Sequence, residues 1–209
     1  MMSGDENTQI KPVLLNGTYA IMKSYTKPYA SCRYTHPPVE AVIRMRKDYG
    51  LTADNVKGID VKTYNLAVLG HDHQEIKGAY SAKMSTPYAT AVALIYGKAG
   101  LQEFGEDALS SDDVKSLTHK VNVEVDEELS SIFPEKQSAI VTIHTTVGDF
   151  TERVDFPKGE PENPLDDTEF KERYEALMAS GGVDKNVYTS VYDKVENTEN
   201  LVTTLVGKL

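Results

Sequence analysis

The strongest constraint on the fold is a break at residues 157–164, which read PKGEPENP. Three prolines and a glycine in so short a stretch exclude a regular helix or strand. Before the break, the apolar residues change several times between helical spacing and strand alternation, whereas after it every apolar pattern has helical spacing. The sequence therefore predicts a part that mixes helices with strands, followed by a part made of helices only.

The mixed part gives clear signals for individual elements. Val39, Val42 and Ile43 follow one helix face behind two prolines, which a first helical turn accepts. Ser85 offers a capping hydroxyl before Pro87, and the pattern ends at Gly97. The predicted elements are a helix over residues 37–49, a strand over 58–64, a helix over 85–97, a helix from 111, a strand over 121–125, and a hairpin of strands 139–145 and 150–156.

These elements do not alternate as regular strand–helix–strand units. We therefore predict an α+β fold with a mainly antiparallel sheet layered with helices, followed by the C-terminal all-helical segment. The expected organisation is a disordered leader over residues 1–10, an α+β domain over 11–157 and C-terminal helices over 158–209. The three C-terminal helices are amphipathic and short, so we expect their apolar faces to be incompletely covered in this chain and a homodimer to form.

Composition excludes several classes of function. The formal net charge of −10 argues against a nucleic-acid partner, and no apolar stretch is long enough for a membrane span. The single cysteine, Cys32, excludes an internal disulfide and a Cys-rich zinc site, which indicates a cytoplasmic protein. Residues 11–62 nevertheless hold nine bases against four acids, about +5, which leaves about −13 for residues 63–209. Such a cationic region can attract an anionic substrate.

The densest group of reactive side chains is KPYASCRYTH, residues 27–36, directly before the predicted helix over residues 37–49. His36 immediately precedes the predicted helix, whose positive end disfavours imidazolium. A neutral imidazole there could accept a proton. The alternative is a histidine that serves as a helix cap or loop residue.

A second group, residues 84–88, lies at another predicted helix start. Tyr88 could donate a proton there, or could simply pack its ring on the sheet. His71 and His73 are two potential ligands in one short stretch without a third partner, which is a weak metal signal. We therefore predict no metal site.

These segments resemble the C-terminal domain of the MmgE/PrpD family. The resemblance rests on residues 27–36, on the Ser85–Tyr88 segment with the alanine-rich run after it, and on Pro157-Lys158-Gly159 with Asn163-Pro164-Leu165. Family members include 2-methylcitrate dehydratase, cis-aconitate decarboxylase and iminodisuccinate epimerase. The three motifs occur in the same order and cover nearly the whole chain.

The resemblance implies an enzyme in which this α+β unit is a lid on an all-helical domain. Most of that domain, with further active-site residues, would come from an N-terminal half absent from this sequence, so we expect the isolated chain to be inactive. His36 and Tyr88 match catalytic positions, with Tyr88 as proton donor or orienter, while Lys27, Arg33 and Ser85 are assigned to substrate binding. The expected chemistry is proton transfer next to a carboxylate of a small polycarboxylate, without metal or cofactor. The reaction would be dehydration, decarboxylation or epimerisation.

Two hypotheses remain open. The first is one half of an enzyme that joins a helical half from the same or a separate chain. The second is a non-catalytic module that kept the lid fold for binding. A split enzyme predicts activity only when both halves are mixed, whereas a binding module does not.

Overall fold

The structure is a computed structural model that describes residues 20–196. The predicted leader over residues 1–10 and the last predicted helix, around residues 201–206, lie outside this range. The elements, with short 3-10 turns between some of them, are α1 His36–Tyr49, β1 Val56–Thr63, α2 Asn65–Val68, α3 Ala79–Met84, α4 Thr86–Tyr96, α5 Glu106–Ser110, α6 Asp112–Thr118, β2 Val121–Val125, α7 Glu127–Ser131, β3 Ala139–Thr145, β4 Asp149–Val154, α8 Asp167–Ser180 and α9 Lys185–Glu196.

The strands form one four-stranded sheet in the order β2-β1-β3-β4. Strands β1 and β3 pair antiparallel, as do β3 and β4. Strand β2 pairs parallel with β1, because helices α2 to α6 lie between them in the chain and return it to the same end of the sheet. The α+β fold with a mainly antiparallel sheet and a helical C-terminal segment is confirmed.

Helices α1 and α4 pack on one face of the sheet and enclose the core. Val61 of β1, Val141 of β3 and Val92 of α4 are completely buried there. Fully burying an aliphatic side chain of this size stabilises the fold by about 1.5–3 kcal/mol. The opposite face of the sheet is polar, and Lys62 and Thr151 are exposed on it. The helix starts that carry the predicted site residues are thus anchored on a rigid sheet.

Both predicted helices of the first layer begin and end as expected. Helix α1 stops at Gly50, which adopts the left-handed conformation with φ 63°. Helix α4 has Ser85 as its capping residue and ends at Gly97, also left-handed. Helix α3 was not predicted, because its sequence AYSAKM has no amphipathic spacing.

Helices α8 and α9 form a hairpin after the proline-rich segment. Asp166 caps α8, and its side chain accepts a hydrogen bond from the Glu169 amide. The hairpin contacts the α+β unit through polar groups: the Arg173 Nε donates to the Lys27 carbonyl at 2.6 Å, and Lys158 pairs with Glu169 at 2.9 Å. Its larger apolar side chains are partly exposed: Phe170, Leu177, Val183, Val187 and Val191. Within residues 20–196, the helices are too short or too polar to cross a membrane.

Candidate active site

His36 is the first residue of α1 and has no exposed surface. Its Nε2 lies 3.3 Å from the carbonyl oxygen of Ser31, and because a carbonyl only accepts, we assign the ring proton to Nε2. The hydroxyl of Tyr25 donates to Nδ1. Burial lowers the pKa of His36 to about 3, so the imidazole is neutral at physiological pH.

Two cations surround this imidazole. The ammonium of Lys27 donates to the same Ser31 carbonyl oxygen at 2.9 Å. The guanidinium of Arg33 lies over the ring of Tyr25, with its central carbon 4.7 Å from the ring centroid. After burial, which is partly offset by the hydrogen bond to Ser31, the positive charges of Arg33 and Lys27 further lower the pKa of His36. The structure thus brings together three of the five predicted site residues.

Only two of the three nitrogens of the Arg33 guanidinium have a hydrogen-bond partner among the described residues. Its Nε donates to the Glu160 carboxylate at 3.1 Å, and Nη2 donates to the same oxygen. Its Nη1 is buried and has no hydrogen-bond partner among the described residues. Guanidinium groups bind carboxylates through two parallel hydrogen bonds, so the free Nη1 is a donor that a second carboxylate could use.

Backbone hydrogen bonds hold the loop that carries Glu160 next to the segment before α1. The amide of Thr26 donates to the Gly159 carbonyl at 2.9 Å, and the amide of Lys158 donates to the buried Glu40 carboxylate at 3.0 Å. Gly159 has φ +95°, and a Cβ there would lie 1.9 Å from the Thr26 carbonyl oxygen. Only glycine permits this approach, so the sequence Lys158-Gly159-Glu160 sets the position of the Arg33 partner.

Ser85 and Tyr88 lie at the start of α4 and are both buried. The Ser85 hydroxyl accepts from the Tyr88 amide at 3.1 Å and donates to the His73 carbonyl at 2.6 Å. The Tyr88 hydroxyl donates to the Glu103 carbonyl at 3.0 Å, and its ring packs on Phe104. Both side chains are therefore engaged in holding the helix start.

The two groups of predicted residues are neighbours rather than one cluster. The Cys32 amide donates to the Lys83 carbonyl at 2.8 Å, which joins the loop before α1 to the end of α3. Within residues 20–196, no hydrogen bond or ring contact links Tyr88 to His36. That both side chains meet in one cleft remains a prediction.

Sequence reasoning did not single out Tyr25, Ser31 or Glu160. Tyr25 lies only two residues before Lys27, so its nearness to the reactive segment was a usable signal. Ser31 acts through its backbone carbonyl, which side-chain chemistry does not reveal. Glu160 is separated from Arg33 by 127 residues, and nothing in one sequence indicates that pairing.

His71 and His73, the two histidines of the weak metal signal, lie in the loop between α2 and α3. The His71 ring bonds to the Leu69 carbonyl at 3.0 Å, and the His73 ring bonds to the Ser81 carbonyl at 3.1 Å. In the described part of the chain, no three histidine, cysteine or acidic side chains are grouped to hold a metal ion. One ring nitrogen of each histidine has a backbone partner, whereas Nε2 of His71 is buried with no hydrogen-bond partner among the described residues.

Comparison with known proteins places the chain in a family. A search of curated proteins gives no match. Residues 29–194 match the model of the MmgE/PrpD C-terminal domain, and this range includes Arg33, His36, Ser85 and Tyr88. Because the match covers well over half of the sequence, the chain belongs to the MmgE/PrpD family through its C-terminal domain.

Proposed function

We propose that this chain is the C-terminal half of a metal-independent lyase or isomerase that acts on a small polycarboxylate by proton transfer next to a carboxylate. Within that class we favour dehydration, as in 2-methylcitrate dehydratase. Membership of the MmgE/PrpD family supports the class of enzyme. The activity requires the helical half, supplied by the same or a separate chain, and we further propose a cytoplasmic homodimer.

One observation carries the proposal: a neutral buried imidazole lies among two cationic side chains that have binding capacity left. His36 is unprotonated at physiological pH and so keeps a lone pair on Nδ1, but it is a weak base until bound carboxylates offset the charges of Lys27 and Arg33. Lys27 is an exposed cation, and Arg33 keeps one free donor group. Cations beside the carboxylate stabilise negative charge that develops on the neighbouring carbon, and electrostatic stabilisation of this kind is usually the largest single contribution to catalysis.

We assign Tyr88 and Ser85 a supporting role in this site. The Tyr88 hydroxyl could serve as a proton donor only after leaving the Glu103 carbonyl, which would then be buried without a donor. Orienting the start of α4 is compatible with the bonds that both residues already make. We therefore propose that Tyr88 orients the site and that Ser85 holds the helix start beneath the substrate.

The experiment is to combine this chain with the helical half and test 2-methylcitrate, cis-aconitate and iminodisuccinate as substrates. We expect turnover of one of them by the pair and none by either half alone. His36→Gln should lower turnover by about 10²- to 10⁴-fold, the usual contribution of a proton-transfer group. Glutamine is preferred to alanine because His36 is fully buried.

The alternative is a non-catalytic binding module. Such a module needs only to bind an anion, and the free Nη1 donor of Arg33 could do so. Calorimetric titration of the 209-residue chain with citrate separates the two. Binding by the chain, with no turnover of any substrate by the combined halves, would establish the binding module and exclude the enzyme.

A further inference from the structure

The imidazole of His36 has one basic nitrogen, Nδ1, and the Tyr25 hydroxyl covers it. Nε2 carries a proton and donates to the Ser31 carbonyl, so the only lone pair able to accept a proton is on Nδ1. The Tyr25 hydroxyl occupies Nδ1, and the imidazole has no exposed surface. A substrate therefore cannot touch the basic nitrogen of His36 directly.

Tyr25, unlike His36, is partly exposed. It lies in the loop before α1, two residues before the cation Lys27, and the guanidinium of Arg33 stacks on its ring. Burial raises the pKa of Tyr25, and the Arg33 charge opposes that rise. The phenol is therefore neutral at rest, and the nearby cation favours any negative charge that passes through its oxygen.

We infer that Tyr25 is the catalytic residue that exchanges the proton with the substrate, and that His36 stands behind it as a positioning residue and proton store. The inference rests on the proposed function. In the forward step the substrate C–H bond breaks, its proton goes to the Tyr25 oxygen, and its electron pair stays on the carbon next to the carboxylate. At the same time the Tyr25 O–H proton passes to Nδ1 of His36. Tyr25 ends neutral and His36 ends as an imidazolium that still donates to Ser31. The negative charge of the bound substrate favours this imidazolium, which burial and the two cations otherwise disfavour.

The chain offers a matched control in Tyr29. The rings of both Tyr25 and Tyr29 meet the His36 ring edge-on, with centroids 5.6 Å and 5.1 Å away. The Tyr29 hydroxyl instead donates to Glu40 at 2.7 Å. Replacing either tyrosine by phenylalanine keeps an aromatic ring against His36, but only Tyr25→Phe removes the donor from Nδ1.

The first measurement needs no substrate. Long-range proton–nitrogen NMR spectra of the ¹⁵N-labelled 209-residue chain distinguish the two ring nitrogens, and His36→Gln assigns the His36 signals. We expect a bare Nδ1 and a protonated Nε2 in the wild type. Tyr25→Phe should shift the Nδ1 resonance and raise the pH at which His36 titrates, because a donor that stabilised the neutral ring is gone. Tyr29→Phe should leave the Nδ1 resonance unchanged.

The second measurement uses the combined halves. Tyr25→Phe should lower kcat by about 10²-fold or more with little change in KM, whereas Tyr29→Phe should stay within a few-fold of the wild type. An unshifted Nδ1 resonance, or a kcat retained in Tyr25→Phe, overturns the inference. A wild-type pair that turns over no polycarboxylate defeats the proposed function instead, and the NMR result then still decides whether Tyr25 controls His36.

Discussion

The surroundings of His36 and of His144 show what the fold does to one kind of side chain. His36 is buried beside cations, and burial lowers its pKa to about 3. His144 lies on the polar face of the sheet, where its two ring nitrogens are 3.0 Å from Asp60 and 2.9 Å from Asp149. Those hydrogen bonds raise the pKa of His144. Burial with one donor and one acceptor keeps the His36 imidazole neutral, whereas two exposed carboxylates favour the cationic form of His144.

The largest loss of stability that we expect comes from adding a side chain at Gly159, in the loop beside the His36 region. Gly159→Ala combines a strained φ with a clash against the Thr26 carbonyl, and should lower the free energy of unfolding by about 3 kcal/mol. Urea unfolding measures it. Gly50→Ala is the control, because Gly50 also has positive φ but nothing within 4 Å, and should cost about 1 kcal/mol. Equal losses in the two variants would mean that the loop is not pinned over the His36 region.

The next effect separates a mostly buried ion pair from an exposed one. In the Arg33–Glu160 pair the side chains are 16% and 19% exposed, against 38% and 72% in the Arg153–Glu128 pair on the polar face. Glu160→Gln leaves a buried guanidinium without its counter-charge and should cost about 2 kcal/mol. Glu128→Gln should cost less than about 0.5 kcal/mol. Denaturant titrations give both losses in the free energy of unfolding. Similar losses would show that water screens the two ion pairs equally.

A neutral buried hydrogen bond should fall between these cases. Tyr88→Phe leaves the Glu103 carbonyl without its donor and should lower the free energy of unfolding by about 1–1.5 kcal/mol. Tyr80→Phe is the control, because Tyr80 is 81% exposed and its loss should be within about 0.5 kcal/mol. In the combined halves, a fall in kcat greater than about 100-fold for Tyr88→Phe would make Tyr88 the proton donor rather than an orienting residue.

The smallest effect is a pH dependence at His144. Its pKa is raised in the folded state, so the stabilisation is fully present below the unfolded pKa of about 6.5 and is lost as pH rises through the folded value. Exposure and salt screening keep this contribution below about 0.5 kcal/mol. Comparing thermal unfolding of the wild type and His144→Gln between pH 5 and 9 measures it. Identical pH profiles for both proteins would mean that His144 gains nothing from its carboxylates.

Much of the fold was predictable because its signals are local. The start and end of α1 follow from a proline pair and Gly50, those of α4 from Ser85 and Gly97, and those of the β3–β4 hairpin from alternating side chains. The parallel pairing of β2 with β1 was not predicted, since it depends on where five intervening helices return the chain. Local signals fix elements, whereas neighbours in a sheet depend on packing.

The candidate site divides in the same way. The reactive segment of residues 27–36 was recognisable, because eight side chains able to donate, accept or carry charge occur together at a helix start. The burial of His36 was not, because it results from Tyr25 and Tyr29 folding over the ring. The neutral imidazole was predicted from the helix end, but its main physical cause is removal from water.

The contact between Thr26 and Gly159 has a consequence for how this unit can be handled. The chain enters and leaves the α+β fold at the same point, where one backbone hydrogen bond joins the incoming segment at Thr26 to the outgoing segment at Gly159. A cassette whose ends touch can be inserted into a host polypeptide, or exchanged between hosts, without stretching either one. We therefore expect a host polypeptide to be joined to the α+β unit with least strain next to Thr26 and Gly159.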